Sequence, residues 1–219
     1  MKINPKIKAY AIIALIALLI PISINWFTFL AHFFSDGNDT PVNPLEYKIL
    51  TDSTAAVNKC RLTEIKNISI PEKTCIGGNE YTVTKIEKKA FSYCRRLTNI
   101  EIPESVTSFG YSAFENCSNL INIKIPESVT SIGYSAFSGC SSLTHIKLTS
   151  NITCINEFTF NNCTNLKIII IPSSVTSIGY KAFSGCNNLD VIINNSKDSV
   201  EIEMDAFKGC KSVRYTINP

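Results

Sequence analysis

The chain has 219 residues, of which 45% are apolar, and its formal net charge is +3. So small a positive excess gives no electrostatic case for a nucleic-acid partner. Histidine occurs only at His32 and His145. This scarcity argues against enzymes that rely on acid–base chemistry and against most metal centres, because histidine is the usual general base and the commonest metal ligand.

The first 34 residues are predicted to form either a signal peptide or a signal anchor. Three lysines precede a run over residues 9–34 that contains no formal charge, and about 20 helical residues cross the hydrocarbon core of a membrane. The length of residues 9–20 fits a cleaved signal peptide, whereas the missing small-residue cleavage site and the aromatic residues that follow fit an uncleaved anchor. In both alternatives the N-terminus lies inside and the remainder of the chain outside, secreted or membrane-anchored through residues 9–34.

The remainder of the chain divides by composition into three further segments. Residues 35–46 are rich in Asp, Asn, Gly and Pro, which is typical of an exposed linker. Residues 47–82 precede the regular pattern, and we expect them to form an N-terminal cap of short strands. Residues 83–219 carry an internal repeat and are predicted to form a solenoid.

The repeat has a period of 23 residues, with the last spacing lengthened to 24. Each unit contains a Phe followed three residues later by a Cys, and six units keep this register: Phe91/Cys94, Phe114/Cys117, Phe137/Cys140, Phe160/Cys163, Phe183/Cys186 and Phe207/Cys210. A 23-residue unit cannot bury its own apolar face, whereas stacked coils can. The expected fold is therefore a repeat solenoid with a core of Phe, Cys, Leu and Ile ladders.

Each unit predicts its own local structure. In the pattern Leu-x-x-Ile-x-Ile, for example Leu120 to Ile125, the two isoleucines share one face of a strand and the residue between them points away. Stacked strands of this kind form one parallel sheet along the solenoid. The segment after the strand is predicted to make a second short extended piece or a turn, rather than a helix, and then about one helical or 3₁₀ turn. Asn or Gly precedes five of the six repeat cysteines, at Asn116, Gly139, Asn162, Gly185 and Gly209, and permits a tight reversal with positive φ.

The motif IPESVTSIGYSAFSGCSSLTHIKL at residues 125–148 resembles the BspA-type leucine-rich repeat, which is common in microbial surface proteins. The resemblance spans roughly residues 70–217. It implies an arc of stacked coils without enzymatic activity, and it associates the chain with adhesion and protein–protein contact at cell surfaces. One unit departs from the pattern because Asn156 replaces Gly and Thr159 replaces Ala, so we expect that unit to be bent.

Binding is expected on the outer face of the parallel sheet, where the variable positions of Leu-x-x-Ile-x-Ile lie. The face changes along the solenoid from polar and charged side chains to apolar ones. An exposed apolar patch of this kind often marks a contact site. The candidate partner-binding residues are Glu101, Lys124, His145, Lys147, Ile168, Ile170, Val191 and Ile193.

Nine cysteines in an exported chain raise the alternative of disulfide bonds. The six repeat cysteines are predicted to be buried and unpaired, because stacked parallel positions about 4.8 Å apart do not have the converging geometry that a disulfide needs. Cys60 and Cys75 both fall in the cap, where a bridge between them would secure its end. Cys140 and His145 are the only neighbouring nucleophile and base, and the predicted burial of Cys140 argues against a catalytic pair.

The sequence therefore predicts no catalytic, cofactor-binding or metal-binding residues. The expected function is a non-enzymatic cell-surface module that binds a protein partner or a cell-surface or matrix component and mediates adhesion. A surface or envelope protein with a purely structural role, and without a specific ligand, is the alternative.

Overall fold

The computed structural model describes residues 43–195 and 199–216, and the predicted signal segment at residues 1–34 lies outside them. Within the described residues no helix is long and apolar enough to cross a membrane. Stacked coils account for most of the described chain, and they form three sheets.

The longest sheet has seven parallel strands, one from each successive coil, in the spatial order β16-β14-β12-β10-β8-β6-β3. We call it the long sheet. Its strands are β3 (Asn67–Ser69), β6 (Asn99–Glu101), β8 (Asn122–Ile123), β10 (His145–Ile146), β12 (Ile168–Ile171), β14 (Asp190–Ile193) and β16 (Ser212–Tyr215). These strands are the Leu-x-x-Ile-x-Ile segments, so the predicted parallel sheet is confirmed.

The second extended piece of each coil also pairs with its neighbours, and it forms two further sheets. The second sheet has the order β1-β2-β5-β7-β9, with β4 paired to β5, and the third has the order β11-β13-β15. The strands are β1 (Leu45–Ile49), β2 (Thr54–Cys60), β4 (Lys73–Ile76), β5 (Asn79–Ile86), β7 (Ser108–Phe109), β9 (Ser131–Ile132), β11 (Cys154–Ile155), β13 (Ser177–Ile178) and β15 (Glu201–Ile202). The gap between β9 and β11 falls at the unit that contains Asn156.

The first coil is covered by antiparallel strands, as expected of a cap. β1 pairs with β2, and β4 pairs with β5, in antiparallel register. The backbone N–H of Cys60 donates to the carbonyl of Ala90 at 2.7 Å, which joins the cap to the first repeat. The cap begins at Leu45, two residues earlier than predicted.

A continuous stack of phenylalanine rings occupies the core. Neighbouring rings are nearly parallel, with centroids 5.2 to 5.6 Å apart, from Phe91 to Phe207. The repeat leucines and most of the repeat isoleucines are buried beside them. Stability is therefore carried mainly by contacts between neighbouring coils.

The turn that contains the Phe–Cys pair has two left-handed positions rather than the single one predicted. The position before Cys has positive φ, as expected, at Asn116, Gly139, Asn162, Gly185 and Gly209. A second set of residues, four positions earlier, also has φ between 52° and 58°: Lys89, Ser112, Ser135, Phe158, Lys181 and Asp205. Backbone bonds between residues three apart, such as Cys117 N–H to the Phe114 carbonyl, connect these positions into a series of tight turns.

Candidate functional site

The outer face of the long sheet carries six of the eight residues predicted for partner binding. Glu101, Lys124, His145, Lys147, Ile168 and Ile170 are all exposed. Each alternates along its strand with an inward-facing apolar residue, as the two-residue period of a strand requires. Among them Ile168 and Ile170 are 40% and 51% exposed, which is unusual for the isoleucines of the long sheet.

The remaining two predicted residues, Val191 and Ile193, are fully buried, so their assignment to the outer face is wrong. Ile169 pairs with Val191 and Ile171 with Ile193. The cause is a shift of one residue in this coil. The first inward-facing strand residue, Val191, follows Leu189 by two positions, whereas the repeat pattern predicts a spacing of three. Such a shift exchanges the two faces of a strand.

The outward residues of β14 are Asp190 and Ile192, both half-buried. Ile192 is directly paired with the exposed Ile170, so the apolar patch on the outer face consists of Ile168, Ile170 and Ile192. The sequence signal that would have located it is the consecutive apolar run from Val191 to Ile193, which permits two registers, combined with the charge of Asp190, which favours the outward position.

Two ion pairs of equivalent geometry lie beside this patch. Lys124 Nζ is 3.2 Å from Glu104 Oε1, and Lys147 Nζ is 3.0 Å from Glu127 Oε1. Both lysine side chains are more than four-fifths exposed, so each pair contributes little to stability. Their effect is to hold two ammonium groups in a column next to the isoleucines.

An open depression of about 640 Å³ lies where the charged and apolar parts of the face meet. Its lining includes Lys124, His145, Lys147, Ile168, Ile170 and Pro172. A single surface depression therefore presents both cationic and apolar side chains.

The end of the face near the cap is polar and internally hydrogen-bonded. Asn99 Nδ2 donates to Asn67 Oδ1 at 2.9 Å, and Thr98 Oγ1 donates to the Lys66 carbonyl at 2.9 Å. Since these polar groups already have partners, this end offers fewer free groups to a ligand than the depression does.

The repeat cysteines form a ladder inside the coils. Each thiol from Cys117 onward donates to the carbonyl of the Phe in the preceding coil, as in Cys140 Sγ to the Phe114 carbonyl at 3.2 Å. Burial raises the pKa of Cys117 to about 12 and the pKa of Cys140 well above its ordinary value. The Cys140 thiol is thus a poor nucleophile, and His145 lies on the outer face, so the two residues do not form a catalytic pair.

The disulfide between Cys60 and Cys75 that the sequence raised as an alternative is not formed, and all nine cysteines are free. Cys75 is exposed on β4, whereas Cys60 is buried. Cys60 interacts instead with Cys94, and this hydrogen bond, together with burial, raises the pKa of Cys94. Cys60 therefore lies next to the first repeat cysteine, although its spacing of 34 residues, rather than 23, places it outside the repeat. Its own thiol donates to the Leu62 carbonyl at 3.5 Å. No group of three or more potential metal ligands occurs among residues 43–195 and 199–216.

Comparison with known proteins agrees with this architecture. The model of the BspA type leucine rich repeat region matches six copies over residues 84–214. None of the curated proteins compared with the chain shows significant similarity to it.

Solved bacterial structures have the same fold. A leucine rich cell surface protein from Faecalibacterium prausnitzii is 29% identical, with a TM-score of 0.64, over 84% of this chain and 50% of that one. A leucine-rich repeat protein from Bacteroides ovatus is 26% identical, with a TM-score of 0.58, over 79% of this chain and 52% of that one. The T. pallidum leucine rich repeat protein, at 24% identity and a TM-score of 0.63, covers 79% of this chain and 89% of its own length.

The chain thus spans about half the length of the F. prausnitzii and B. ovatus proteins. The six repeats that the family model matches fall on the coils that follow the cap, and they extend over more than half of the chain. The chain belongs to the BspA-type leucine-rich repeat family.

Proposed function

We propose that this chain is a non-enzymatic module of the cell surface that binds a protein partner through the outer face of the long sheet. The observation that carries the proposal is the isoleucine patch, formed by the exposed Ile168 and Ile170 and the half-buried Ile192, beside the column of Lys124 and Lys147. An apolar patch with a polar rim is the usual composition of a protein contact surface.

The location of the patch supports the same proposal. Repeat solenoids use their sheet faces as extended contact surfaces. The F. prausnitzii relative is described as a cell surface protein, and we propose the same location for this chain. Residues 9–34 would hold it at the membrane as a signal anchor, or export it as a signal peptide, with the repeats outside.

The patch can be tested by comparing two double variants. Ile168→Asp/Ile170→Asp places two carboxylates on the outer face, where the native side chains are 40% and 51% exposed. Ile49→Asp/Leu50→Asp is the matched control, since these cap residues are 47% and 38% exposed. Binding of the purified proteins to intact cells and to immobilised matrix proteins is measured.

We expect the outer-face variant to lose at least about tenfold in affinity, because burial of each half-exposed isoleucine contributes about 1 kcal/mol and a carboxylate adds a desolvation cost. The cap variant should bind like the native protein. Equal binding by all three proteins would contradict the proposal, and absence of binding by the native protein would favour the purely structural role.

The predicted membrane topology has its own test. The N-terminal residue of the mature protein, determined by sequencing, distinguishes a cleaved signal peptide from a retained anchor. External protease should digest the repeats of intact cells in either case if a fraction of the protein remains cell-associated. Protection from external protease would contradict the surface location.

A further inference from the structure

Two cysteine thiols meet where the cap contacts the first repeat. Cys60 is the last residue of β2, and its backbone N–H donates to the carbonyl of Ala90 at 2.7 Å. Ala90 belongs to the turn that leads directly to Cys94. The Cys60 and Cys94 side chains are 4% and 1% exposed, they lie in the same apolar core, and a hydrogen bond joins their sulfur atoms.

Cys94 differs from the other repeat cysteines in its hydrogen-bond partner. The thiols of the other five donate to the carbonyl of a phenylalanine, at positions 117, 140, 163, 186 and 210. Within the described part of the chain, the partner of the Cys94 thiol is Cys60 instead of a carbonyl. Cys163 and Cys186 also contact each other, but each keeps its phenylalanine carbonyl. The pair at the cap is therefore the less constrained of the two.

The Cys60 side of this pair borders the protein surface. An exposed loop, residues 61–64, follows Cys60 directly, and the Cys60 thiol donates to the carbonyl of Leu62 within it at 3.5 Å. The hydrogen bond from Cys94 lowers the pKa of the Cys60 thiol below its ordinary value. Local opening of the loop exposes Cys60 before Cys94. Cys60 is therefore the thiol that reacts first, since the thiolate is the reactive form.

We propose that Cys60 and Cys94 form a disulfide bond that fastens the cap to the first repeat under oxidising conditions. The oxidant is a small-molecule disulfide, for which oxidised glutathione is the probe. The Cys60 thiolate attacks one sulfur of this disulfide, which forms a mixed disulfide and releases one small thiolate that takes up the Cys60 proton. The Cys94 thiol then loses its proton, its sulfur attacks the sulfur of Cys60, and the second small thiol is released. Two protein thiols are oxidised, and one small disulfide is reduced to two thiols.

The bond would act at the end of the solenoid that the cap protects. It closes a loop over residues 60–94, which contains β3, β4, β5 and the first Phe–Cys turn. Such a cross-link restricts the unfolded chain and opposes separation of the cap from the coil beneath it. Extracellular surroundings favour disulfides, but the reaction does not depend on partner binding by the outer face of the long sheet.

The pairing is tested by peptide mapping of the full chain with its native sequence. The reduced protein is incubated with oxidised glutathione under native conditions, unreacted thiols are alkylated in denaturant, and the digest is analysed without reduction. We expect one intramolecular link, between Cys60 and Cys94, with the other repeat cysteines alkylated. A map in which Cys60 and Cys94 are both alkylated, or in which either is linked to Cys75 or Cys117, would overturn the proposal.

Thermal unfolding tests whether the bond fastens the cap. Oxidation should raise the unfolding midpoint by at least about 5 °C, and dithiothreitol should reverse the change. Cys60→Ser and Cys94→Ser should each abolish the rise, whereas Cys75→Ser, which removes the exposed cap thiol, should retain it. The mapping result on the native sequence stands even where a serine variant folds poorly. A Cys60–Cys94 link that leaves the midpoint of the native protein unchanged would contradict the fastening of the cap.

Discussion

The side-chain amide of Asn156 donates a hydrogen bond of 2.6 Å to the carbonyl of Ile132. In neighbouring coils the equivalent carbonyl accepts from the backbone N–H of a glycine, as Gly133 N–H does to Phe109 and Gly179 N–H to Ile155. Close approach of two backbones is possible at Gly133, where a Cβ would lie 2.6 Å from the carbonyl carbon of Gly110. At this junction the donor to the carbonyl is therefore the side chain of Asn156 instead of a backbone N–H, and strands β9 and β11 do not pair.

Asn156→Ala should lower the free energy of unfolding by about 1–3 kcal/mol, because the Ile132 carbonyl loses its donor and the Cβ still keeps the backbones apart. Asn156→Gly should cost less, since the glycine backbone can approach and donate as Gly133 and Gly179 do. Urea denaturation of the two variants measures the difference. Equal losses would mean that the side-chain bond, and not the missing backbone approach, determines the geometry of this junction.

Gly139 is paired sterically with Asn116 of the preceding coil. Gly139 has a φ of +73°, and a Cβ at this position would overlap Asn116 Oδ1. Gly139→Ala should therefore lower the free energy of unfolding by about 1–2 kcal/mol for the left-handed backbone and by at least about 1 kcal/mol more for the overlap.

Gly77 supplies the control for this prediction, because its φ is +59° and a Cβ there would meet nothing within 4 Å. Gly77→Ala should show only the backbone cost. In an Asn116→Gly background the additional loss at Gly139 should disappear, and a double-mutant cycle from urea denaturation gives the coupling energy. A coupling near zero would contradict the steric pairing.

The sequence was sufficient to predict the solenoid because its period is fixed by buried residues. Phe91 to Phe207 and their cysteines recur with so little variation that the stacking order, the parallel sheet and the core ladders follow directly. The periodic isoleucines Ile100, Ile123, Ile146 and Ile169 fix the register of the strands. The exposed positions from Glu101 to Ile170 could therefore be predicted from the sequence.

The sequence failed where two arrangements satisfy the same pattern. Val191, Ile192 and Ile193 are all apolar, so the pattern permits either face to be inward, and packing on Ile169 and Ile171 decides the register. Cys60 lies outside the 23-residue period, so only the three-dimensional position of the cap places it beside Cys94. The left-handed residues that include Ser135 and Phe158 are not marked by glycine or asparagine, and their conformation is imposed by contacts between coils.

Substitution of Ser135 tests whether contacts between coils impose the left-handed backbone. Ser135 is half-buried and has a φ of +54°, whereas Ser138, three residues later in the same turn, has no positive φ. Ser135→Gly should raise the free energy of unfolding by up to about 1 kcal/mol by removing the strain of a left-handed Cβ. Ser138→Gly should lower it by about 0.5–1 kcal/mol through backbone entropy. Equal effects of the two substitutions, in urea denaturation, would show that the left-handed position is not strained.

The cysteine ladder predicts a loss of stability at alkaline pH. Burial raises the pKa of Cys117 to about 12 and the pKa of Cys140 well above the ordinary value of 9.0, which the unfolded chain retains. Above pH 9 the unfolded state loses thiol protons that the folded state keeps. Stability is therefore fully present below about pH 9 and falls as the pH rises towards the folded-state pKa values.

Each such thiol contributes a slope of about 1.4 kcal/mol per pH unit in this range. Under reducing conditions, Cys140→Ala should reduce the slope of the unfolding free energy against pH by that amount between about pH 9.5 and 10.5. At neutral pH the same variant should be less stable than the native protein, because it loses the thiol hydrogen bond and leaves a cavity. Cys75→Ala, which removes an exposed thiol outside the ladder, serves as the matched control. An identical slope in the native protein and in Cys140→Ala would contradict this prediction. It would mean that the Cys140 thiol titrates in the folded state as freely as in the unfolded chain, despite its burial.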